Sequence, residues 1–107
     1  MKFETTLACI MDVGEIMLTS GAEVNRVEDT VQRMAKAYGC SRVDVFTITS
    51  SIVVTVHREG QIHTQTRRIR DYCNDIAKIE ACNTLSRRIC NQPLEQQELE
   101  QLAGASA

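Results

Sequence analysis

Three strand-like runs lie back to back between residues 42 and 69, and helical periodicity flanks them on both sides. Arg42–Ile48 alternates, with Val43, Val45 and Thr47 on one side and Asp44, Phe46 and Ile48 on the other. Ser51–Arg58 is dominated by β-branched residues: Ile52, Val53, Val54, Thr55 and Val56. Gln61–Ile69 returns with Ile62, Thr64, Thr66 and Arg68 on one face. A period of two, in residues that favour a pleated surface, marks a half-buried strand. Glu59-Gly60 separates the second and third runs and fits a two-residue hairpin turn. The expectation is an antiparallel meander with helices over one face.

The flanks supply those helices. Residues ~3–19 repeat apolar side chains at helical spacing (Phe3, Leu7, Ile10, Met11, Met17, Leu18), with Gly14 as a tolerated interruption. Ser20-Gly21 makes a turn. A second helix is predicted over residues ~22–38, where Val24, Val27, Val31, Met34 and Tyr38 form one stripe and Gly39 stops it. Two helices so closely joined make an αα-hairpin. Ser20 and Glu23 read as S-x-x-E, a capping box for the second helix. A third helix is predicted over residues ~73–91, with Ile76, Ile79, Cys82, Leu85 and Ile89 inward, and Pro93 suits the start of a last one. The fold class is therefore α+β: αα-hairpin, three-stranded antiparallel meander, two C-terminal helices, in a single domain over residues 1–107.

Composition removes several classes of function. The net charge is −2, no basic tract is present, and the aromatics are two Tyr and two Phe. That is no nucleic-acid surface. The apolar runs are much shorter than the ~20 residues of a membrane span. Met1-Lys2-Phe3-Glu4-Thr5-Thr6 lacks the apolar core of a signal peptide. The five cysteines (Cys9, Cys40, Cys73, Cys82, Cys90) are odd in number and form no C-x-x-C, which points to structural thiols rather than a disulfide framework or zinc site. Cys73 has Arg residues nearby and is the expected reactive thiol if any is.

Four groups of residues carry possible chemistry. Glu23, Arg26 and Glu28 gather at a helix start, where free N–H groups and a guanidinium suit a carboxylate ligand; the plainer reading is a cap and a surface ion pair. Thr47, Thr49, Ser50, Ser51 and Thr55 make a hydroxyl-rich patch suited to a polar small molecule, or simply to a strand and its turn. Of Arg67 and Arg68, which face opposite ways, Arg68 is expected inward, opposite Glu23, Glu28 or Asp44. Asp44, His57 and Ser50 can be written as a hydrolase triad without the G-x-S-x-G elbow, and His57 and His63 as cross-strand neighbours.

The same residues carry a resemblance. S-G-A-E-x-x-R-V-E-D, Ser20 to Asp29, is similar to the motif opening the soluble domain of the threonine/serine exporter family of bacterial membrane proteins. Thr49-Ser50-Ser51, Arg67-Arg68-Ile69, Asp75-Ile76-Ala77-Lys78 and Asn83-Thr84-Leu85-Ser86-Arg87-Arg88 follow in the family's order. Many relatives have Pro or Gly where this chain has Thr49-Ser50-Ser51.

The resemblance implies the soluble N-terminal domain of an inner-membrane exporter, facing the cytoplasm. Its substrates would be small hydrophilic metabolites of the threonine/serine or dicarboxylate class; some relatives are split systems, succinate exporters among them. It implies a membrane-embedded region or partner membrane subunit; a homo-oligomer and no cofactor are our further expectations. It maps Glu23, Arg26 and Glu28 onto the family motif, and with the residues singled out above the substrate or gating candidates are Ser20, Glu23, Arg26, Glu28, Thr49, Ser50 and Arg68. We expect residues 1–107 to be excised upstream of a transmembrane region, with Leu94, Leu99 and Leu102 left uncovered as an association surface. The alternatives are a hydrolase-like enzyme using the Ser/Thr patch and a soluble ligand-sensing or dimerisation module.

Overall fold

The computed structural model describes residues 3–48, 50–70 and 75–105. The order is α1 (Phe3–Thr19), α2 (Val24–Ala37), β1 (Arg42–Ile48), β2 (Ser51–Arg58), β3 (Gln61–Arg68), α3 (Ile76–Asn91) and α4 (Gln96–Ala105). The strands form one antiparallel sheet in the order β1-β2-β3. The α+β expectation and its helical hairpin and meander are what the chain adopts.

The register sets the two faces. Val43 pairs with Val56, Val45 with Val54 and Thr47 with Ile52, and β2 in turn sets Ile52, Val54 and Val56 against Arg67, Gln65 and His63. This face packs on the helices, with α2 against β1 and α1 against β3. The core runs from Leu7, Ile10, Met11 and Met17 through Val27, Val31 and Met34 to Ile52 and Val54, each fully buried. Gly14 proves to be a contact position: a Cβ there would lie 2.8 Å from Val31 Cγ2. The absent side chain is what allows α1 and α2 to approach so closely.

Two expectations about the helices are corrected. Ser20 does not cap α2. Its N–H donates to Ile16 O, the Gly21 N–H to Leu18 O and the Ala22 N–H to Met17 O. This Schellman-type ending of α1 needs Gly21 in the left-handed region, at φ 102°. The N-cap of α2 is Glu23, whose side chain makes no capping hydrogen bond. The C-terminal signal of one helix won over the N-terminal signal of the next because the turn is too short to hold both. In α3, Asp75 is the N-cap and accepts from the Lys78 N–H. Ile76 there points outward, 72% exposed, because it lies off the stripe of Cys82, Leu85 and Ile89.

The last helix is covered, contrary to expectation. Leu99 is fully buried, and Leu94 and Leu102 pack against the core. Tyr38 Oη donates to Leu94 O and accepts from the Leu94 N–H, at 2.9 and 3.1 Å, pinning the connection before α4 to the end of α2. The open apolar surface lies instead on the outer sheet face, where Phe46 is 63%, Ile62 64% and Ile48 45% exposed.

Candidate functional site

Three hydrogen bonds draw separate segments of the chain to one end of the molecule. Glu28 Oε2, on α2, accepts the Thr47 N–H at the end of β1, at 2.8 Å. The Ile69 N–H, past the end of β3, donates to Ser50 O in the β1–β2 turn, at 2.7 Å. The Asp75 N–H, at the start of α3, donates to Ser20 O in the α1–α2 turn, at 2.9 Å. The stretches beginning at Ser20, Ser50, Arg67 and Asp75 thereby become neighbours, although Ser20 and Asp75 lie 55 positions apart in the sequence.

At this end the candidates divide. Ser20 is buried, and its backbone carries the link to α3. Glu28 is half-buried and engaged by Thr47. Glu23, Arg26, Ser50 and Arg68 are exposed. Among the described residues, the side chains of Glu23, Arg26 and Arg68 meet no hydrogen-bond or ion-pair partner. The exposed apolar side chains Ile48 and Ile76 flank the same segments. Thr49 lies outside the described residues, as does Cys73. The arrangement is an open surface of charges and isolated apolar groups, with the first-turn amides of α2 uncapped by the Glu23 side chain. Such amides and a nearby guanidinium are able to receive a carboxylate.

Arg68 is not the inward arginine; Arg67 is. Arg67 stands opposite the buried Ile52, so its side chain reaches the helices, while Arg68 stands opposite Ser51 and faces solvent. The guanidinium of Arg67 donates to Asp12 Oδ1 at 2.6 Å, Glu15 Oε1 at 3.3 Å and Ala8 O at 3.0 Å. Burial opposes its charge, but the bonds and charges of Asp12 and then Glu15 outweigh this and raise its pKa. The inward face of β3 is the one opposite to Arg68. Its polar residues His63, Gln65 and Arg67 turn inward, and each finds a partner on α1 there: Gln65 Nε2 donates to Glu4 O, and His63 Nδ1 lies 3.8 Å from Glu4 Oε1. The acids of α1 were the missed signal. Asp12 and Glu15 follow one another at helical spacing on the side that meets β3.

The hydrolase arrangement does not assemble. Ser50 precedes β2 and His57 lies near the far end of it. Seven residues of extended chain separate them by roughly 20 Å. Asp44 is paired with Arg42, at 3.0 Å. His57 pairs with Ile62 and His63 with Val56, so the two imidazoles fall on opposite faces. No group of three or more metal-ligating side chains occurs among the described residues.

Residues 8–102 match the family model of the threonine/serine exporters, ThrE. The chain belongs to the threonine/serine exporter family. Neither the curated proteins nor the solved structures contain a match. The family is one of transporters, which places this chain in a membrane context with small polar substrates. No helix among the described residues is long and apolar enough to cross a membrane. The family segments named from the sequence are the ones that the three hydrogen bonds gather, and the last of them, Asn83–Arg88, continues along α3.

Proposed function

We propose that this chain is the soluble N-terminal domain of an inner-membrane exporter, and that the end carrying Glu23, Arg26, Ser50 and Arg68 docks on the membrane-embedded part, in the same chain or a partner subunit. The observation that supports this is the pairing state of the charges. Charges are matched between elements at Arg67 with Asp12 and Glu15, and at Arg88 with Glu98. Glu23, Arg26 and Arg68 have no such partner among the described residues. Unmatched charges beside exposed Ile48 and Ile76 suit an interface, where a partner's polar groups complete them. The cargo would be threonine, serine or a small dicarboxylate, and the domain would face the cytoplasm.

Removing the charges tests the reading. In the full-length exporter, Glu23→Gln and Arg26→Gln should lower export at least tenfold while leaving protein abundance and domain melting unchanged. Unchanged export in both variants would overturn it. A second role, transient capture of the cargo carboxylate, is favoured by the uncapped amides at the start of α2 and by Arg26 beside them. Calorimetric binding of threonine or succinate by the isolated chain, lost in Arg26→Gln, would establish capture; no heat in the millimolar range would leave docking alone.

A further inference from the structure

The last helix is fastened far less firmly than the one before it. α3 has 16 residues, a satisfied Asp75 cap and a buried stripe of Cys82, Leu85, Ser86 and Ile89. α4 has 10 residues, and the buried ones among its described side chains are Leu99 and Ala103. Gln97, Glu100 and Gln101 are exposed. A helix this short is marginal by itself, so its docking holds it in shape. It packs on α1 and hardly touches α3. An open cleft of about 560 Å³, walled by Arg88, Gln101 and Leu102, lies between the two. Two latches act at its N-terminal half. Tyr38 Oη holds both the N–H and the C=O of Leu94, and Tyr38 is itself fixed by Arg58 Nε, which donates to its carbonyl at 2.9 Å. Arg88 Nη2 meets Glu98 Oε1 at 2.7 Å, but these side chains are 57% and 44% exposed, so the pair adds little. Ahead of the latches, Gln92 is extended and Pro93 has no N–H, which makes the connection a natural hinge.

We infer that α4 is a releasable strap: it lets go as a unit about Gln92 and Pro93, while the sheet and α1 to α3 stay folded, and so bares the Cys9 side of α1. Segments with few buried side chains and exposed bonds open at less cost than the whole molecule. Release of α4 gives up the burial of Leu99 and Ala103 and the two latches. Opening the sheet gives up far more, because β2 alone buries Ile52, Val54 and Val56 and is paired on both sides. Cys9 marks what the strap covers. It lies on α1 and is buried. Burial raises its thiol pKa, and the charges of Asp12 and of Glu100 on α4 push the same way. The Tyr38 phenol, raised first by burial, feels Cys9 as well. Cys9 thus sits close to both the strap and its main latch.

Hydrogen exchange and peptide-resolved thiol labelling of the 107-residue chain in dilute urea test this. After correction for intrinsic rates, the Leu99 and Leu102 amides should exchange at least about tenfold faster than those of β2, and Cys9 should label that much faster than Cys82. The α4 rates should vary little with urea, because this opening exposes little surface, whereas β2 should follow the full unfolding slope. Tyr38→Phe keeps the ring and removes both bonds to Leu94, so it should speed α4 exchange and Cys9 labelling by roughly fivefold or more. Val43→Ala, on the strand farthest from α1, should speed exchange in β2 and leave the α4 and Cys9 rates within about twofold, since its contacts persist when the strap is open. Equal protection and equal urea slopes for α4 and β2 in the parent chain would overturn the inference, as would a Val43→Ala variant that speeds both alike. The parent comparison needs no substitution, and no readout involves export, so the docking end described above is judged separately.

Discussion

Glu28 Oε2 accepts the backbone N–H of Thr47 at 2.8 Å, across 19 positions of sequence. A side chain on α2 thus takes up one outward N–H of an edge strand. The bond holds the end of β1 against α2, on the helix that begins beside the exposed Glu23 and Arg26. A charged acceptor on a half-buried amide contributes more than a neutral one. Glu28→Ala should lower stability by about 1–2 kcal/mol, and Glu28→Gln, which keeps an oxygen in reach, by less than about 1 kcal/mol. Urea unfolding of the three proteins would measure this. Equal losses in both variants would mean that the charge, not the acceptor, carries the interaction.

Arg67 ties β3 to α1 through Asp12, Glu15 and the Ala8 carbonyl. Its carboxylate partners are about half exposed, which weakens each pair, but the geometry engages both ends of the guanidinium. Arg67→Gln should cost about 1–2 kcal/mol, because the Ala8 carbonyl and two acids lose their donor. Arg68→Gln should change stability by less than about 0.5 kcal/mol, as an exposed substitution does. Thermal melts that ranked the two variants the other way would contradict the placement of these arginines.

Gly14 sits where α1 and α2 come closest. Alanine is the better helix former by about 1 kcal/mol, so in an open helix Gly14→Ala would stabilise. Here the added methyl meets Val31 Cγ2 at 2.8 Å, and overpacking a filled core costs about 1–3 kcal/mol. The net expectation is a loss. Gly14→Ala combined with Val31→Ala should recover part of it, and a double-mutant cycle would show the coupling.

Burial raises the thiol pKa of Cys82 to about 11, and burial likewise raises Cys9, Cys40 and the Tyr38 phenol. A raised folded pKa gives stability that is whole below the unfolded pKa and is lost as pH rises towards the folded one. The unfolded thiols ionise near pH 8.5–9, roughly, while the folded ones keep their protons. Stability should therefore be flat to about pH 8.5 and fall between there and pH 11, with Cys82 alone accounting for about 2–3 kcal/mol. Urea midpoints across this range would show the slope, and Cys82→Ala should reduce it. Exposed Cys90 should react with a thiol reagent before these three.

Much of the architecture was legible in the residues because it rests on local periodicity. The period-two runs with Glu59-Gly60 between them, the Val24–Tyr38 stripe and the Gly39 stop are each short-range signals, and the three strands and the helical hairpin formed where they pointed. Motif order along the chain was enough to name the family. Other features were decided only when the elements packed. Which face of β3 turns inward depended on register against β2 and on acids supplied by α1, so Arg67 and not Arg68 became the inward cation. Ser20 carried both a stop and a start signal, and the tight turn resolved them in favour of the α1 terminus. The leucines of the last helix looked uncovered until Tyr38 pinned Leu94 and α1 accepted Leu99. Long-range hydrogen bonds such as Asp75 N–H to Ser20 O leave no periodic trace, because each partner is chosen by position in space. They nevertheless bring the motif segments together at one end of the protein.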